Sequence, residues 1–266
     1  MNDQINNNQM NKKHIRRWGI VLMIPLVLGF MGLCILGARW KGSLTVRRVV
    51  IDGSGILSAQ QLFTLSDVPL KSLMNQVDIY DVRGRILQQP FVKNARVTRQ
   101  YPDAVRIQLV ERQPIASVNN GQLRYIDAEA VLLPYIETSV KLDLPIINGV
   151  DSIQGAKPGE TISNAELSEA IGLLQTALAL DSTLFHFISE VNMNNGKDII
   201  LYSSDVPVPV IVGRGDYGKK LLMLETFWKN YVKTQSAQKI RYIDLRFNDQ
   251  VVVKWLGEQQ QAKTGL

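Results

Sequence analysis

The sequence contains one cysteine and two histidines among its 266 residues, and this scarcity excludes two kinds of site. A single cysteine cannot close an intrachain disulfide, so the chain is not a disulfide-stapled scaffold, and it cannot form a cysteine-rich metal site. Two histidines leave little material for a metal site built from imidazole ligands. The sequence therefore predicts no metal site.

Acidic residues are almost absent from the first 41 positions, where six Lys or Arg face one Asp. The rest of the chain carries 24 basic and 23 acidic residues, so the formal net charge of +6 belongs mainly to the N-terminal segment. A nearly neutral body offers no broad basic face of the kind that binds nucleic acid. The sequence therefore predicts a protein that does not bind nucleic acid.

Formal charge is missing altogether from residues 18–38, which read WGIVLMIPLVLGFMGLCILGA. As a helix this run spans about 31 Å, which matches a hydrocarbon core of about 30 Å. A cleaved signal peptide is the alternative, but its apolar region is usually about 7–15 residues long and ends at small residues. The run predicts an uncleaved anchor at 18–38, after a tail at 1–17 and before a linker at 39–44. Basic residues flank both ends, so charge does not give the orientation.

Residues 45–113 predict a small α+β unit with the order strand, helix, helix, strand, strand. The β-branched stretch 45–51 ends at an Asp-Gly turn, and Ser58 opens a helix with capping-box spacing. Asp81 is predicted to cap a second helix. Alternating apolar residues then predict strands at 95–101 and 105–109, joined by the turn Tyr101-Pro102-Asp103.

Residues 114–256 predict a second, mostly antiparallel β domain with helices, followed by a flexible tail at 257–266. Ser163 and Glu166 have the capping-box spacing for one helix, and a last helix begins near Tyr217 with an apolar side that includes Tyr231. Predicted strands lie at 115–118, 123–126, 130–133, 188–194, 198–203, 207–212, 240–247 and 251–256.

The segment 213–218 spells G-x-G-x-x-G between a strand and a helix, the spacing of a dinucleotide-binding turn, and Asp244 lies on the next strand. Only 22 residues follow Asp244, too few to complete a doubly wound sheet. Pro207 and Pro209 favour an edge strand over a central one. The segment is therefore interpreted as a tight turn that opens a helix, with Arg214 in local salt bridges.

Two longer motifs carry a family resemblance. The first runs from Pro90-Phe91-Val92 to Tyr101-Pro102 and on to Glu111-Arg112-x-Pro114. The second is Tyr242-Ile243-Asp244-Leu245-Arg246-Phe247, followed by Val252-Val253-Lys254-Trp255. With the basic tail, the apolar run and the strand that ends at Gly53, they resemble the FtsQ/DivIB family of bacterial cell-division proteins. The chain departs from that family at Asp127-Ala128-Glu129-Ala130, where the family usually has Gly after the acidic residue, and at Phe247, where tyrosine is expected.

The resemblance implies a POTRA domain at 45–113 and a non-catalytic scaffold that needs no cofactor. It implies a single-pass inner-membrane protein of a Gram-negative cell, with a cytoplasmic N-terminus and a periplasmic body at the midcell septum. It also implies partners: the FtsB–FtsL pair above all, and other division proteins such as FtsK, FtsW, FtsI and FtsN. The alternatives are a POTRA-bearing component of an export or assembly system, and a membrane-tethered enzyme, which the lack of a catalytic constellation disfavours.

The last hairpin is the predicted partner site. Alternation places Val251, Val253 and Trp255 on one face of the final strand and Val252 and Lys254 on the other. A final strand at a sheet edge can accept a partner's strand, with Phe247 and Trp255 as aromatic anchors. The alternative is that Trp255 completes the core. The predicted partner-binding residues are Arg246, Phe247, Asn248, Asp249, Gln250, Val251, Val252, Val253 and Trp255.

A second group of residues is predicted to be structural. Glu111, Arg112 and Pro114 follow the last strand of the first unit directly. Charged side chains at such a point can form charge-assisted hydrogen bonds, which are stronger than neutral ones. The sequence therefore predicts that these residues hold the junction of the two units.

Overall fold

The computed structural model describes residues 23, 25–40, 43–119, 122–136, 142–150, 153, 155–206, 208–232 and 239–256. The chain divides into two compact units. The first unit contains residues 1–52, 60–85 and 96–108, and the second contains 53–59, 86–95 and 109–266.

The predicted anchor lies only partly within the described residues. Residues 25–40 form a helix, α1, while 18–22 and 24 lie outside the description, as do the predicted tails at 1–17 and 257–266. No helix among the described residues combines the length and the apolar character that a membrane crossing needs.

The smaller of the two sheets that the described residues form has three strands and confirms the predicted order of elements. Strand β1 is parallel to β3, and β3 lies between β1 and β2. Gly53 ends β1 with a φ of +89°, and a Cβ at this position would lie 2.1 Å from the Leu109 carbonyl oxygen, so only glycine fits. The elements are β1 (Arg48–Asp52), α2 (Ala59–Ser66), α3 (Ile79–Leu87), β2 (Val92–Gln100) and β3 (Ala104–Glu111).

Two predicted helix caps are wrong by one turn or less. Asp78, not Asp81, caps α3, because its carboxylate accepts hydrogen bonds from the backbone N–H groups of Tyr80 and Asp81 at 2.8 and 3.2 Å. Asn164, which follows Ser163, caps the helix that starts at Ala165 by accepting from the Leu167 N–H at 2.9 Å. Asp and Asn are both favoured at the N-cap, as are the residues that were predicted instead. Residue type and spacing alone therefore did not identify which of the neighbouring residues is the cap.

In the described part of the chain, the larger sheet has nine strands in the order β12-β11-β10-β9-β8-β7-β4-β5-β6. It is mixed, because the pairs β4–β7, β7–β8 and β10–β11 are parallel and the other neighbouring pairs are antiparallel. The strands are β4 (Pro114–Asn119), β5 (Leu123–Asp127), β6 (Leu132–Leu133), β7 (Ile146–Asn148), β8 (Ile188–Asn192), β9 (Ile200–Ser203), β10 (Pro209–Ile211), β11 (Ile240–Asp244) and β12 (Val252–Trp255).

The helices that accompany this sheet in the described residues are α4 (Ala165–Leu180), α5 (Ser182–Phe187) and α6 (Tyr217–Phe227), which continues as a π-helical turn at Trp228–Val232. Side chains of α4 and α6, such as Leu174 and Leu221, share one buried cluster with Val210 and Ile243 of the sheet. The helices therefore cover one face of the sheet. Neither β7 nor α5 was predicted, since each is too short to show a clear period.

The edge position predicted for the strand at 207–212 is wrong. Strand β10 lies between β9 and β11. Pro209 is its first residue, and a proline can begin an internal strand because its missing N–H falls at the end of the ladder.

Candidate functional site at the last strand

The final strand of the larger sheet is an edge, as predicted. Strand β12 ends the strand order and pairs with β11 alone among the described strands. The pairing is antiparallel, with Asp244 opposite Val252 and Ile243 opposite Val253, and a bulge lies between Ile240 and Tyr242. One side of β12 is therefore open to another strand.

The hydrogen-bonding direction of β12 follows from the residue after it. The Leu256 N–H donates to the Lys239 carbonyl at 2.6 Å, on the β11 side. N–H groups two apart on a strand point the same way, so those of Val252 and Lys254 also face β11. The N–H and C=O groups of Val253 and Trp255 therefore face the open edge.

The side chains of β12 divide between the two faces as predicted. Val251, Val253 and Trp255 are partly buried and pack against the core, whereas Val252 is 37% exposed. Trp255 thus contributes to the core of the second unit. Phe247, in contrast, is 52% exposed and is the more accessible of the two predicted aromatic anchors.

The loop before β12 is exposed from Arg246 to Gln250. Asp249 adopts a φ of +58°, a left-handed conformation that Asp tolerates better than most residues, and its carboxylate pairs with Lys219 of α6. Asn248 and Gln250 lie on either side of this turn. The loop is therefore a tight turn that is tied to α6 by one ion pair.

Arg246 already has partners within the chain. Its guanidinium donates to Asp244 through Nε at 3.0 Å and Nη2 at 2.6 Å, and to Asp198 through Nη1 at 2.8 Å. Burial alone raises the pKa of Asp244, but the hydrogen bonds and charge of Arg246 lower it more, so this pKa lies below its ordinary value. Both carboxylates in turn raise the pKa of Arg246. A partner carboxylate at this point has to share Arg246 with these two groups.

An apolar groove of about 590 Å³ lies beside the hairpin, and the sequence did not predict it. Its floor includes Leu222, Phe227 and Tyr231 of the α6 segment together with Val251, and Lys219 and Asp249 form its rim. The rings of Phe227 and Tyr231 stack with centroids 5.4 Å apart. The groove and the open edge together offer both backbone and side-chain contacts.

Tyr231 was predicted on the core side of the last helix, and this is wrong, because it is 57% exposed. Leu221, Leu224 and Trp228 are buried on that side as predicted. The helix widens to a π turn from Trp228 onward, and a wider turn moves later residues off the apolar face. The sequence carries no signal of this change, because Leu224, Trp228 and Tyr231 keep the four- and three-residue spacing of a regular α-helix.

Glu111 and Arg112 occupy dense polar environments within the second unit. The Glu111 carboxylate accepts hydrogen bonds from three successive backbone N–H groups, those of Gly55, Ile56 and Leu57, at 3.0, 2.6 and 3.0 Å. Glu111 is buried and lies next to the start of β4 at Pro114. The carboxylate therefore accepts the hydrogen bonds that backbone carbonyls would accept from these N–H groups in a helix or a strand.

Arg112 joins a second ionic group. Its Nη1 lies 2.7 Å from an Asp127 oxygen and 2.8 Å from a Glu129 oxygen, and Lys93 also pairs with Glu129 at 2.6 Å. Burial lowers the pKa of Arg112, but hydrogen bonds to the two carboxylates raise it above its ordinary value. Hydrogen bonds from Lys93 and then Arg112 lower the pKa of Glu129. All these carboxylates have cation or backbone partners, which suits a structural role.

The glycine-rich turn before α6 is held by its own charges. Arg214 pairs with Glu169 and donates to the Lys197 carbonyl at 3.0 Å, and Tyr217 donates to Glu169. Burial and the hydrogen bond to Glu169 raise the pKa of Tyr217 to about 12. A Cβ on Gly213 would lie only 2.8 Å from the Cγ atom of Arg246, so a larger residue does not fit there without a shift of the Arg246 side chain. This geometry favours the predicted tight turn over a phosphate-binding loop.

No group of three or more His, Cys, Asp or Glu side chains in the described part of the chain is arranged to hold a metal ion.

Comparisons with known proteins match two consecutive stretches of the chain. The family described as POTRA domain, FtsQ-type, matches residues 44–112, and the family described as FtsQ/DivIB, C-terminal related, matches residues 113–254.

Three relatives named cell division protein FtsQ illustrate the similarity. The protein of Syntrophotalea carbinolica is 28% identical over 89% of this chain and 84% of its own. That of Geobacter sp. (strain M21) is 30% identical over 74% of this chain and 71% of its own. That of Rhodothermus marinus is 29% identical over 91% of this chain and 89% of its own. With both domains matched in order and the relatives aligned along most of their length, this chain belongs to the FtsQ/DivIB family of cell division proteins.

Proposed function

We propose that this chain is a membrane-anchored scaffold of the division machinery, which works by binding the FtsB–FtsL pair and not by catalysis. It links early and late division proteins at the septum. The observation that carries the proposal is that β12 is the edge of the sheet among the described strands, with two backbone positions that face away from β11, beside an apolar groove.

The open edge supports strand addition as the binding mode. A partner segment that runs along β12 forms main-chain hydrogen bonds with Val253 and Trp255. Alternate side chains of an added strand point toward the helix-covered face, where the groove beside Tyr231 receives one large apolar group. Backbone bonds then supply affinity and the groove supplies specificity.

The exposed loop gives this site its polar rim. Phe247 is accessible for aromatic contact, and Arg246 offers the remaining capacity of its guanidinium to a partner carboxylate. The predicted binding set from Arg246 to Trp255 is retained, with Trp255 acting through its backbone and its support of the core. Glu111, Arg112 and Pro114 are retained as structural residues of the domain junction, with a POTRA domain at 45–113 and the second domain at 114–256.

A membrane anchor at 18–38 completes the proposal. The large apolar side chains of α1, for example Leu28, Phe30 and Leu33, are exposed to the surroundings, as a lipid-facing helix requires. In this topology the N-terminus is cytoplasmic and the body periplasmic. Alkaline phosphatase fused after residue 60 is expected to be active, and an inactive fusion contradicts the topology without touching the β12 site.

Further division proteins, such as FtsK, FtsW, FtsI and FtsN, are proposed to bind elsewhere on the body. An export or assembly component is the second candidate for a POTRA-bearing chain. Depletion in the host separates the two, because loss of a division scaffold causes filamentation and loss of an export component does not.

The binding mode is tested with Val253→Pro in the full-length chain. Proline removes the N–H that faces the open edge and leaves the bonds to β11 in place, so FtsB–FtsL binding is expected to weaken at least about tenfold. Val253→Ala is the matched control, because it removes the side chain but keeps the N–H. It is expected to retain most of the binding.

Val252→Pro completes the test because its N–H faces β11. This variant is expected to lower the thermal midpoint, whereas Val253→Pro is expected to change it little. Normal binding by a folded Val253→Pro protein would overturn strand addition at β12.

A further inference from the structure

A pocket on the far side of α6 is unrelated to the β12 site. It has a volume of about 270 Å³ and lies between α5, the turn after β9 and the end of α6. Ligand pockets for whole small molecules are usually larger, about 300–1,000 Å³. This pocket is therefore suited to one large side chain.

The floor of the pocket is aromatic. The rings of Phe187 and Trp228 meet edge to face with centroids 4.5 Å apart, and Leu184 completes the apolar lining. Trp228 also begins the π-helical turn, a wide turn that occurs frequently at functional sites. Aromatic faces attract organic cations through their quadrupole, and guanidinium groups also stack on them.

The rim of the pocket carries an excess of negative charge. Asp205 and Glu225 line it, and Asp181 lies close enough to interact with Glu225 and Lys229. Lys229 is the one ammonium among the described residues that line the pocket, and its Nζ is 2.5 Å from Glu225. His186 is exposed at the rim. Among the described residues, the two lining carboxylates and the nearby Asp181 outnumber the lining ammonium, and this excess of negative charge favours a cationic guest.

Asp205 is presented by a well-fixed turn. The Ser204 N–H donates to the Phe187 carbonyl at 2.8 Å, and the Ser203 hydroxyl donates to the Val206 carbonyl at 2.6 Å. The Asp205 side chain is exposed and forms no ion pair with any of the described residues. Its carboxylate is thus held at the rim and available to a guest.

We propose that this pocket binds a single arginine side chain from an extended segment of a protein partner. The guanidinium lies against Phe187 and Trp228 and donates hydrogen bonds to Asp205 and Glu225. A planar cation with several donors matches an aromatic floor and a carboxylate rim better than a lysine ammonium does. The site is independent of the strand edge at β12 and does not rest on it.

The test uses the full-length chain in a non-ionic detergent with ¹⁵N-labelled tryptophan. The chain has four tryptophans, so the indole signal of Trp228 can be followed separately. The probe is the capped peptide acetyl-Gly-Arg-Gly-amide, and its neutral match contains citrulline in place of arginine. Saturable shifts of the Trp228 signal are expected with the arginine peptide and not with the citrulline peptide.

Asp205→Asn and Glu225→Gln are each expected to weaken binding of the arginine peptide about three- to fivefold, because each removes one partly exposed carboxylate that pairs with the guanidinium. Asp216→Asn is the matched control: it removes an exposed carboxylate at a distant left-handed position that Asn also tolerates. It is expected to leave binding unchanged.

Three outcomes would overturn the proposal. They are the absence of a Trp228 shift at millimolar peptide, equal binding of the citrulline peptide, and full binding in both carboxylate variants. Methylguanidinium alone binding as tightly as the peptide would overturn the assignment to a protein segment, since the pocket would then recognise a free organic cation.

Discussion

The guanidinium of Arg246 lies against the carboxylate of Asp244, two residues earlier, with Nη2 and Oδ2 2.6 Å apart. The Asp244 carboxylate is nearly fully buried, whereas almost half of the Arg246 side chain is exposed. The pair joins the end of β11 to the binding loop. Arg246 therefore stabilises the fold of this region in addition to any contact with a partner.

Replacing Arg246 with Met is expected to destabilise the second unit at pH 7 by about 1–3 kcal/mol, because it leaves a buried carboxylate without its cation. Arg241→Met, at an exposed position on β11, is the control and is expected to cost less than about 0.5 kcal/mol. Urea unfolding of both variants measures the difference. Equal stability of the two variants would contradict a stabilising role of Arg246.

The same pair predicts a loss of stability in acid. The pKa of Asp244 is lower in the folded chain than in the unfolded chain, so its contribution is present above the unfolded pKa of about 4. That contribution is lost as the pH falls through the folded pKa. Unfolding midpoints at pH 7 and pH 3 are expected to differ less in Arg246→Met than in the parent chain. An unchanged difference would show that Arg246 does not lower this pKa.

Glu111→Gln is expected to destabilise the turn at Gly55–Leu57 by about 2–3 kcal/mol, because an amide offers one acceptor oxygen in place of two and its charge is lost. Hydrogen exchange of the three amides measures this directly. Glu129→Gln is the control at an exposed carboxylate and is expected to leave these amides protected. Unchanged protection in Glu111→Gln would remove the structural role assigned to this carboxylate.

Ala130→Gly is expected to stabilise the chain by up to about 1 kcal/mol, because Ala130 has a φ of +58° that costs little only in glycine. Ala128→Gly is the matched control, since Ala128 has no positive φ, and it is expected to destabilise by about 0.5–1 kcal/mol. Thermal melts of both variants decide the matter, and a lower midpoint for Ala130→Gly would contradict the expectation.

Ile107→Ala is expected to cost about 2–5 kcal/mol, because Ile107 is fully buried in β3. Val110→Ala, on the same strand but at an exposed position, is expected to cost less than about 1 kcal/mol. Chemical denaturation of the full-length chain compares them. A small loss for Ile107→Ala would mean that the smaller sheet tolerates a cavity better than a close-packed core does.

Local patterns in the sequence determined the smaller sheet and the final hairpin. Alternation along β2, β3 and β12 gave the strands and their faces, since side chains on a strand alternate by geometry alone. The family motifs around Glu111 and Asp244 likewise identified the family, because they are contiguous. The caps at Asp78 and Asn164 were missed by one to three residues, because several neighbours can accept the same hydrogen bond.

Tertiary structure alone decided the features that join distant parts of the chain. The bonds from Arg246 to Asp198, the central place of β10 and the groove beside Tyr231 all depend on sheet order and on the π turn in α6. The pocket at Phe187 and Trp228 likewise brings together side chains about 40 positions apart. Sequence periodicity predicts only which residues share a face of one helix or strand. The contacts between distant elements form because packing their apolar faces against one another removes apolar surface from water and lowers the free energy of the whole unit.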